Sequence, residues 1–274
     1  MEEGAPATAV ITGASSGIGA AFARRLAARG HALVLVARRE ERLQALADEL
    51  HRRHGVGVEI LVADLARSEG IARVQGRLAA GGAVDVLVNN AGFGTVGPFA
   101  ESDLERQLDM ISVHVTATAR LTRAVLPGMI AHGRGAVINV SSIAASLPAP
   151  GNATYSATKA YVKVFSQGLA TELQGTGVRV QALCPGFTRT EFHSTPEYRA
   201  LEMRSRVPKW LWMDPEEVVA ASLNALARGQ VVLIPGLRNR WVVALGQGGL
   251  GARLMRAVAR RLRRMARRAA RTGD

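Results

Sequence analysis

An apolar run from Ala7 to Ile11 leads directly into Thr12–Gly19, TGASSGIG, and then into a helical apolar pattern from Ile18 to about Arg29. This succession of strand, glycine turn and helix constrains the fold more than any other feature of the chain. Gly13, Gly17 and Gly19 let the backbone turn tightly and come close to a bound group, and the helix that follows offers unpaired N–H groups and a positive dipole end to an anion. Ser15, Ser16 and Ile18 share the turn, with hydroxyls available for further contacts. A glycine motif alone is weak evidence. Placed after a strand and at the opening of a helix, it fits a dinucleotide pyrophosphate.

The alternation continues down the chain. Ala32–Val36, Val58–Val62, Val84–Val88, Ala136–Val140, Arg179–Leu183 and Val231–Ile234 read as strands, and helical patterns cover about Glu40–Arg53, Ser102–Leu126 and Tyr155–Gln174. Asp214-Pro215-Glu216-Glu217 opens another helix, with an acid as N-cap, proline in the first turn and an acid two residues further on. Strands separated by helices imply an α/β fold, a doubly wound parallel sheet with helices on both faces joined by right-handed crossovers. A chain of 274 residues, 48% of them hydrophobic, fills one such domain.

A second stretch, Asn139–Lys159, carries the chemistry. Tyr155 and Lys159 are four residues apart and share a helix face. A phenol with a free pKa of about 10 is a poor acid-base catalyst near neutrality, and a neighbouring ammonium lowers that value by stabilising the phenolate. Ser142 precedes Tyr155 by thirteen residues and can donate its hydroxyl to a substrate oxygen across a loop containing Pro148, Pro150 and Gly151.

TGASSGIG, then Asn89–Gly92 (NNAG), then Ser142, Tyr155 and Lys159, in this order and spacing, resemble the short-chain dehydrogenase/reductase family from about Ala7 to Thr190. The resemblance implies a single Rossmann-type domain in which Tyr155 exchanges a proton with a carbonyl or alcohol, Lys159 holds the nicotinamide ribose and lowers the Tyr155 pKa, and Ser142 polarises the substrate oxygen. It implies cofactor contacts from Asp64, from Asn90, Ala91 and Gly92, and from Pro185, Gly186, Thr188 and Thr190, and a homodimer or tetramer. No metal is expected. Arg38 stands where relatives that use NAD place an acid, and a guanidinium there favours the 2′-phosphate of NADP, with NAD as the alternative. Arg39 reads as a solvated charge facing Glu40 or Glu41. His114 replaces an asparagine that many relatives use to hold a relay water, so it is either a substitute in that proton path or a structural histidine. A dinucleotide-binding regulator without turnover is the competing function, and the complete Ser142, Tyr155 and Lys159 set speaks against it.

Residues 188–213, rich in Phe192, Tyr198, Leu201, Met203, Trp210, Leu211 and Trp212, suit a lid and an apolar substrate wall. Arg199, Arg204, Arg206 and Lys209 are interleaved with them. The lone cysteine, Cys184, lies in an apolar run and fits a buried, inert thiol. With an acidic N-terminus and no long apolar run, a cytoplasmic enzyme is expected.

The formal charge of +13 is concentrated at one end, because residues 253–271 hold nine arginines and Asp274 is the only acid after Gly251. The expected division is therefore a domain over residues 1–245 and a glycine hinge with a basic amphipathic tail over 246–274. Leu254, Val258, Leu262, Met265 and Ala269 form a narrow stripe among the arginines, which suits peripheral contact with an anionic membrane in preference to packing on a subunit. A nucleic-acid role is not expected, since the tail lacks aromatics for stacking on bases.

Overall fold

The computed structural model describes residues 7–80, 82–194 and 207–247. Seven strands, β1 (Thr8–Thr12), β2 (Ala32–Ala37), β3 (Val58–Val62), β4 (Val84–Asn89), β5 (Gly135–Val140), β6 (Val178–Leu183) and β7 (Val232–Leu233), form one sheet in the order β3-β2-β1-β4-β5-β6-β7. All neighbouring strands are parallel. The central strands are apolar and buried along nearly their whole length, as strands covered on both faces must be. The edge strand β3 instead exposes Glu59, which pairs with Arg77 at 2.7 Å.

Eight α-helices surround the sheet: α1 (Gly17–Ala27), α2 (Glu40–His54), α3 (Ser68–Ala80), α4 (Leu104–Ile111), α5 (Ala117–Ala131), α6 (Ala153–Glu172), α7 (Pro215–Ala227) and α8 (Leu237–Gln247), counted among the described residues. One core joins the sheet to α1, α2 and α7 through Phe22, Leu26, Leu43, Leu50, Val218 and Leu223. The opposite core uses Ile71 and Val74 of α3, Leu121 and Val125 of α5, and Leu169 of α6. Two apolar faces, each covered by helices, give the expected doubly wound arrangement.

Three expectations need correction. The single helix foreseen over residues 102–126 is α4, a π-helical turn from Ser112 to Thr116, and α5. Asp103 caps α4 by accepting from the N–H groups of Glu105 and Arg106 at 3.0 and 3.4 Å. The helix also continues past Pro127 to Ala131, because a proline within a helix removes one hydrogen bond while packing against the core holds the rest. Finally, Gly246 does not begin a hinge. It lies inside α8, where a Cβ would come within 2.3 Å of Leu147 Cδ2, so the glycine serves a close approach. The remainder of the tail, from residue 248, lies outside the described residues.

The chain order places the site. From β1 the chain winds outward through β2 to β3 and then returns to place β4 on the other side of β1. Loops leaving β1 and β4 at their carboxyl ends therefore diverge and open a crevice, the usual position of a ligand in such sheets.

Candidate active site

At the crevice, Gly13 and Gly17 adopt φ values of 65° and 57°, in the region that favours glycine. A Cβ on Gly13 would lie 2.8 Å from Ala91 Cα, and one on Gly19 would lie 2.3 Å from the Gly13 carbonyl oxygen. The β1 turn is thus pressed against the β4 turn, leaving the N-terminus of α1 bare. This cradle fits a pyrophosphate: it combines backbone that only glycine permits with a helix start that has no side-chain cap.

The expected contacts divide once side chains are placed. Asn90 is a brace: its Nδ2 donates to the carbonyls of Thr12 at 2.9 Å and Gly13 at 3.2 Å. Thr12 completes the brace, since its Oγ1 accepts from the N–H groups of Asn90 and Ala91 at 2.9 and 3.0 Å. Thr12 opens the glycine motif, yet its letter alone gives no sign of this role. Asp64 turns its Oδ1 back to the Ala66 N–H at 3.0 Å, ordering the turn after β3. Ile18 packs against the core beneath α1. The segment after β6 crosses the mouth of the crevice: the Pro185 carbonyl accepts from the Ile143 N–H, Gly186 leaves room for Asn239 of α8, and Thr188 bridges to Met213. Thr190 then lies against Gly17, where an added Cβ would be 2.9 Å from its Cγ2.

Of the two arginines, Arg39 departs from the role expected of it. Arg38 is exposed and has no hydrogen-bond or ion-pair partner among the described residues. Arg39 is no solvated charge facing Glu40 or Glu41. Its guanidinium donates to Ser15 Oγ at 2.9 Å and Ser16 Oγ at 2.9 Å and pairs with Glu191 at 2.8 Å. The glycine turn that lacks a basic residue of its own receives one from the end of β2.

The candidate reacting groups come together where β5 ends and α6 begins. Ser142 caps the short helical turn after β5 by accepting from the Ala144 N–H at 3.2 Å, and its hydroxyl lies on the Tyr155 side of that turn. Lys159 is buried and donates from Nζ to the Val140 carbonyl at 2.9 Å, while Ser141 Oγ donates to the Lys159 carbonyl at 2.7 Å. Burial pushes the Tyr155 phenol up to about 12, and the nearby Ser142 hydroxyl acts in the opposite sense. Burial likewise brings the Lys159 ammonium down to about 8. Lys159 Nζ is 5.8 Å from the centroid of the Tyr155 ring. The expected lowering of the Tyr155 pKa by Lys159 is thus not seen in this geometry, where desolvation governs.

His114 sits on the π-helical turn, almost fully buried. Its Nε2 accepts from the Phe93 N–H at 3.2 Å, and its Nδ1 lies 2.8 Å from Thr158 Oγ1. Because Thr158 donates its own proton to the Tyr155 carbonyl at 2.9 Å, the imidazole must donate from Nδ1. Both ring nitrogens are therefore engaged within the protein, which favours the structural histidine of the two readings over the relay substitute. Burial first, then the charge of Lys159, depress the His114 pKa well below its ordinary value, so the ring is neutral. Gly92 makes room for it, since a Cβ there would lie 2.7 Å from His114 Nε2.

Phe192 stands over Tyr155 with ring centroids 5.8 Å apart, and Phe187, His193 and Trp212 pack beside it. These are the described parts of the expected apolar wall; residues 195–206 of the lid lie outside the described residues. A cavity of about 520 Å³ lies farther out, between Arg189, residues 209–214 and the start of α8, and touches neither Tyr155 nor Ser142. Among the described residues no cluster of His, Cys, Asp or Glu is arranged to hold a metal.

Comparison with known proteins agrees with this geometry. The family model described as short chain dehydrogenase matches residues 7–198, and the chain belongs to that family. It is 39% identical over 193 residues to a very-long-chain 3-oxoacyl-CoA reductase of Anas platyrhynchos, a match covering 69% of this chain and 62% of that one. The chain therefore spans less than two thirds of that relative's length. Among solved structures, a short-chain dehydrogenase from Sphingobium yanoikuyae in complex with NADPH is 42% identical, with a TM-score of 0.79 over 88% of this chain and 92% of that one. The bulky-bulky ketone specific alcohol dehydrogenase of Comamonas testosteroni is 37% identical, with a TM-score of 0.76 over 86% of this chain and 89% of that one.

Proposed function

We propose that the chain is an NADP-dependent oxidoreductase that interconverts a carbonyl and a secondary alcohol on an apolar substrate. The observation that carries this reading is the convergence of Ser142, Tyr155 and Lys159 beside the glycine cradle. When bound, the nicotinamide supplies or accepts the hydride. Tyr155, held protonated by its burial, donates a proton to the carbonyl oxygen during reduction, and Ser142 hydrogen-bonds the same oxygen. Lys159 is anchored by Val140 and presents its charge to the ribose side of the crevice. Gly13–Gly19, Ala91, Gly92, Thr188 and Thr190 form the cofactor contact surface, with Asn90, Asp64, Pro185 and Gly186 shaping it. Arg38 and Arg39 flank the position of a 2′-phosphate, which supports NADP over NAD, as does the NADPH complex of the Sphingobium relative.

Phe187, Phe192 and Trp212 support an apolar substrate, and the curated relative and the Comamonas enzyme act on 3-oxoacyl thioesters and bulky ketones. The test is NADPH oxidation across bulky ketones, steroid ketones, 3-oxoacyl thioesters and small aldehydes, with Tyr155→Phe as control. Turnover of an apolar carbonyl that is lost in Tyr155→Phe supports the reading. Tight NADPH binding without turnover of any of them favours the regulator.

Exposed Leu104, Leu108 and Ile111 on α4, with Tyr161 and Val164 on the adjoining α6, support a homo-oligomer, which sedimentation would test. Exposed Leu237, Trp241 and Leu245 recur every fourth residue on α8, ahead of the arginine-rich tail, and support peripheral contact of this end with an anionic membrane. No described helix is long and apolar enough to cross a bilayer. Sedimentation with anionic vesicles tests the contact: no binding, or binding that Trp241→Ser leaves intact, rejects it.

A further inference from the structure

Glu191 follows the segment that crosses the crevice, and its two carboxylate oxygens engage two arginines from the opposite side. Oε2 pairs with Arg39 Nη1 at 2.8 Å and Oε1 pairs with Arg42 Nη1. Arg42 lies on α2 and Arg39 just before it, whereas Glu191 belongs to the chain after β6. The contact therefore spans the cofactor end of the crevice from one wall to the other. The same Arg39 guanidinium bonds both Ser15 and Ser16 in the glycine turn. One carboxylate thus occupies a guanidinium that faces the turn where a dinucleotide's adenosine end would lie. The two arginines hold that carboxyl below its ordinary pKa, so it is an anion at neutral pH.

We infer that Glu191 is an internal anion that competes with the 2′-phosphate of NADP(H) for Arg39, and so sets how strongly the chain prefers the phosphorylated cofactor. A guanidinium has a limited number of well-oriented N–H donors, and those of Arg39 are already divided among two hydroxyls and a carboxylate. A 2′-phosphate gains its full charge-assisted bonds only when the carboxylate withdraws. A ribose 2′-hydroxyl carries no charge, needs no such exchange, and leaves the ion pair closed. Binding of NADP(H) would accordingly release Glu191 from the wall formed by α2, while NAD(H) would not. Because Thr190 rests on Gly17, that release acts on the segment bearing Phe192 over Tyr155.

The inference rests on the reading that the chain takes NADP(H), and the experiment separates the two. Dissociation constants for NADPH and NADH are measured by nicotinamide fluorescence on the full chain, on Glu191→Gln, on Arg39→Gln and on the double variant. Glu191 is half exposed, so the isosteric glutamine leaves no buried gap, and matching thermal melts check the fold. The expected result is that Glu191→Gln binds NADPH about five- to tenfold more tightly, about 1 kcal/mol at about 1.4 kcal/mol per decade, while NADH shifts less than about twofold. In the Arg39→Gln background the gain disappears, because the contested guanidinium is gone. Unchanged or weaker NADPH binding by Glu191→Gln overturns the competition, as does equal tightening of NADH, or a gain that persists without Arg39. If the unaltered chain binds NADPH no more tightly than NADH, the cofactor assignment itself fails, a result distinct from an intact preference that Glu191 does not control.

Discussion

Replacing Lys159 by methionine gives a pH signature that follows from its burial. The ammonium lies inside the protein, with its Nζ donating to the Val140 carbonyl, and desolvation lowers its pKa from 10.5 to about 8. The folded value is below the unfolded one, so between these pH values the unfolded chain binds more protons and stability rises with pH. Below pH 8 both states are protonated and the full cost of the buried charge is present; above 10.5 neither is, and the cost is gone. At about 1.4 kcal/mol per pH unit, this amounts to about 3 kcal/mol across the window. Methionine has no such proton. The stability of the lysine chain minus that of Lys159→Met should therefore climb by about 3 kcal/mol from pH 7 to pH 11. The slope is the readout because the intercept also contains the hydrogen bond lost to Val140. Tyr155, pushed up to about 12, removes stability as pH rises above 10 in both chains and cancels in the difference. Cys184 interacts with Lys159, so both chains should carry Cys184→Ala. Urea unfolding of the cofactor-free chains at each pH supplies the values. Parallel curves would refute the claim that burial governs this lysine.

Tyr155→Phe should lower turnover by at least about 100-fold while NADPH affinity stays within about threefold, since only the proton donor is removed; isothermal titration alongside initial rates separates these effects. Arg39→Asp and Arg38→Asp should each weaken NADPH by about tenfold or more and NADH far less, a charge-assisted contact becoming a repulsion. Fluorescence titration checks both. Asn139 is fully buried and accepts from Asn89 at 2.8 Å while donating to Ser166 at 3.0 Å, so Asn139→Ala should cost about 2–4 kcal/mol in urea unfolding. His114→Leu leaves the Phe93 N–H and the Thr158 hydroxyl without their partner and should lower kcat, whereas His114→Asn should retain most activity. Equal rates in the two variants would show that these hydrogen bonds do not position Tyr155.

The parts of this site that were legible in the sequence are those whose physics is local. A glycine turn between a strand and a helix, and a tyrosine and lysine one helical turn apart, carry their geometry in their spacing. Strand positions follow for the same reason, since strands buried on both faces must be mostly apolar. What escaped depends on distant partners. Arg39 looked like an ordinary surface charge because its neighbours in sequence, Glu40 and Glu41, offer an obvious pairing; its actual partners are at positions 15, 16 and 191. Thr12 and Asn139 became visible as braces only once adjacent strands brought Asn90 and Asn89 beside them. The π-helical turn carrying His114 has no periodic signature in a segment that reads as one continuous helix. Gly246 reads as the start of a hinge because a cluster of glycines resembles a linker, while the residue it accommodates, Leu147, is about a hundred positions away.

This division between local and distant determinants also explains how one catalytic arrangement can serve unlike substrates. Ser142, Tyr155 and Lys159 are tied to β5 and α6, and beneath them Asn89, Thr122, Asn139 and Ser166 form a buried hydrogen-bonded bridge from β4 and β5 to α5 and α6. Such a bridge strongly resists change, because removing one member strands the others without water. The proposed substrate wall has different support. Phe187, Phe192, His193 and Trp212 come from the chain after β6 and before α7, outside the sheet, and contact one another through ring faces and edges. Ring contacts tolerate exchange of one apolar shape for another at a cost of about 1.5 kcal/mol or less. Substitution can therefore reshape the wall without disturbing the proton donor. On the proposed function, catalytic identity follows the bridge, and substrate identity follows the wall built by Phe187, Phe192, His193 and Trp212. Exchanging residues 187–213 for the corresponding segment of a bulky-ketone relative should change which carbonyl is reduced while leaving the loss caused by Tyr155→Phe as large as before.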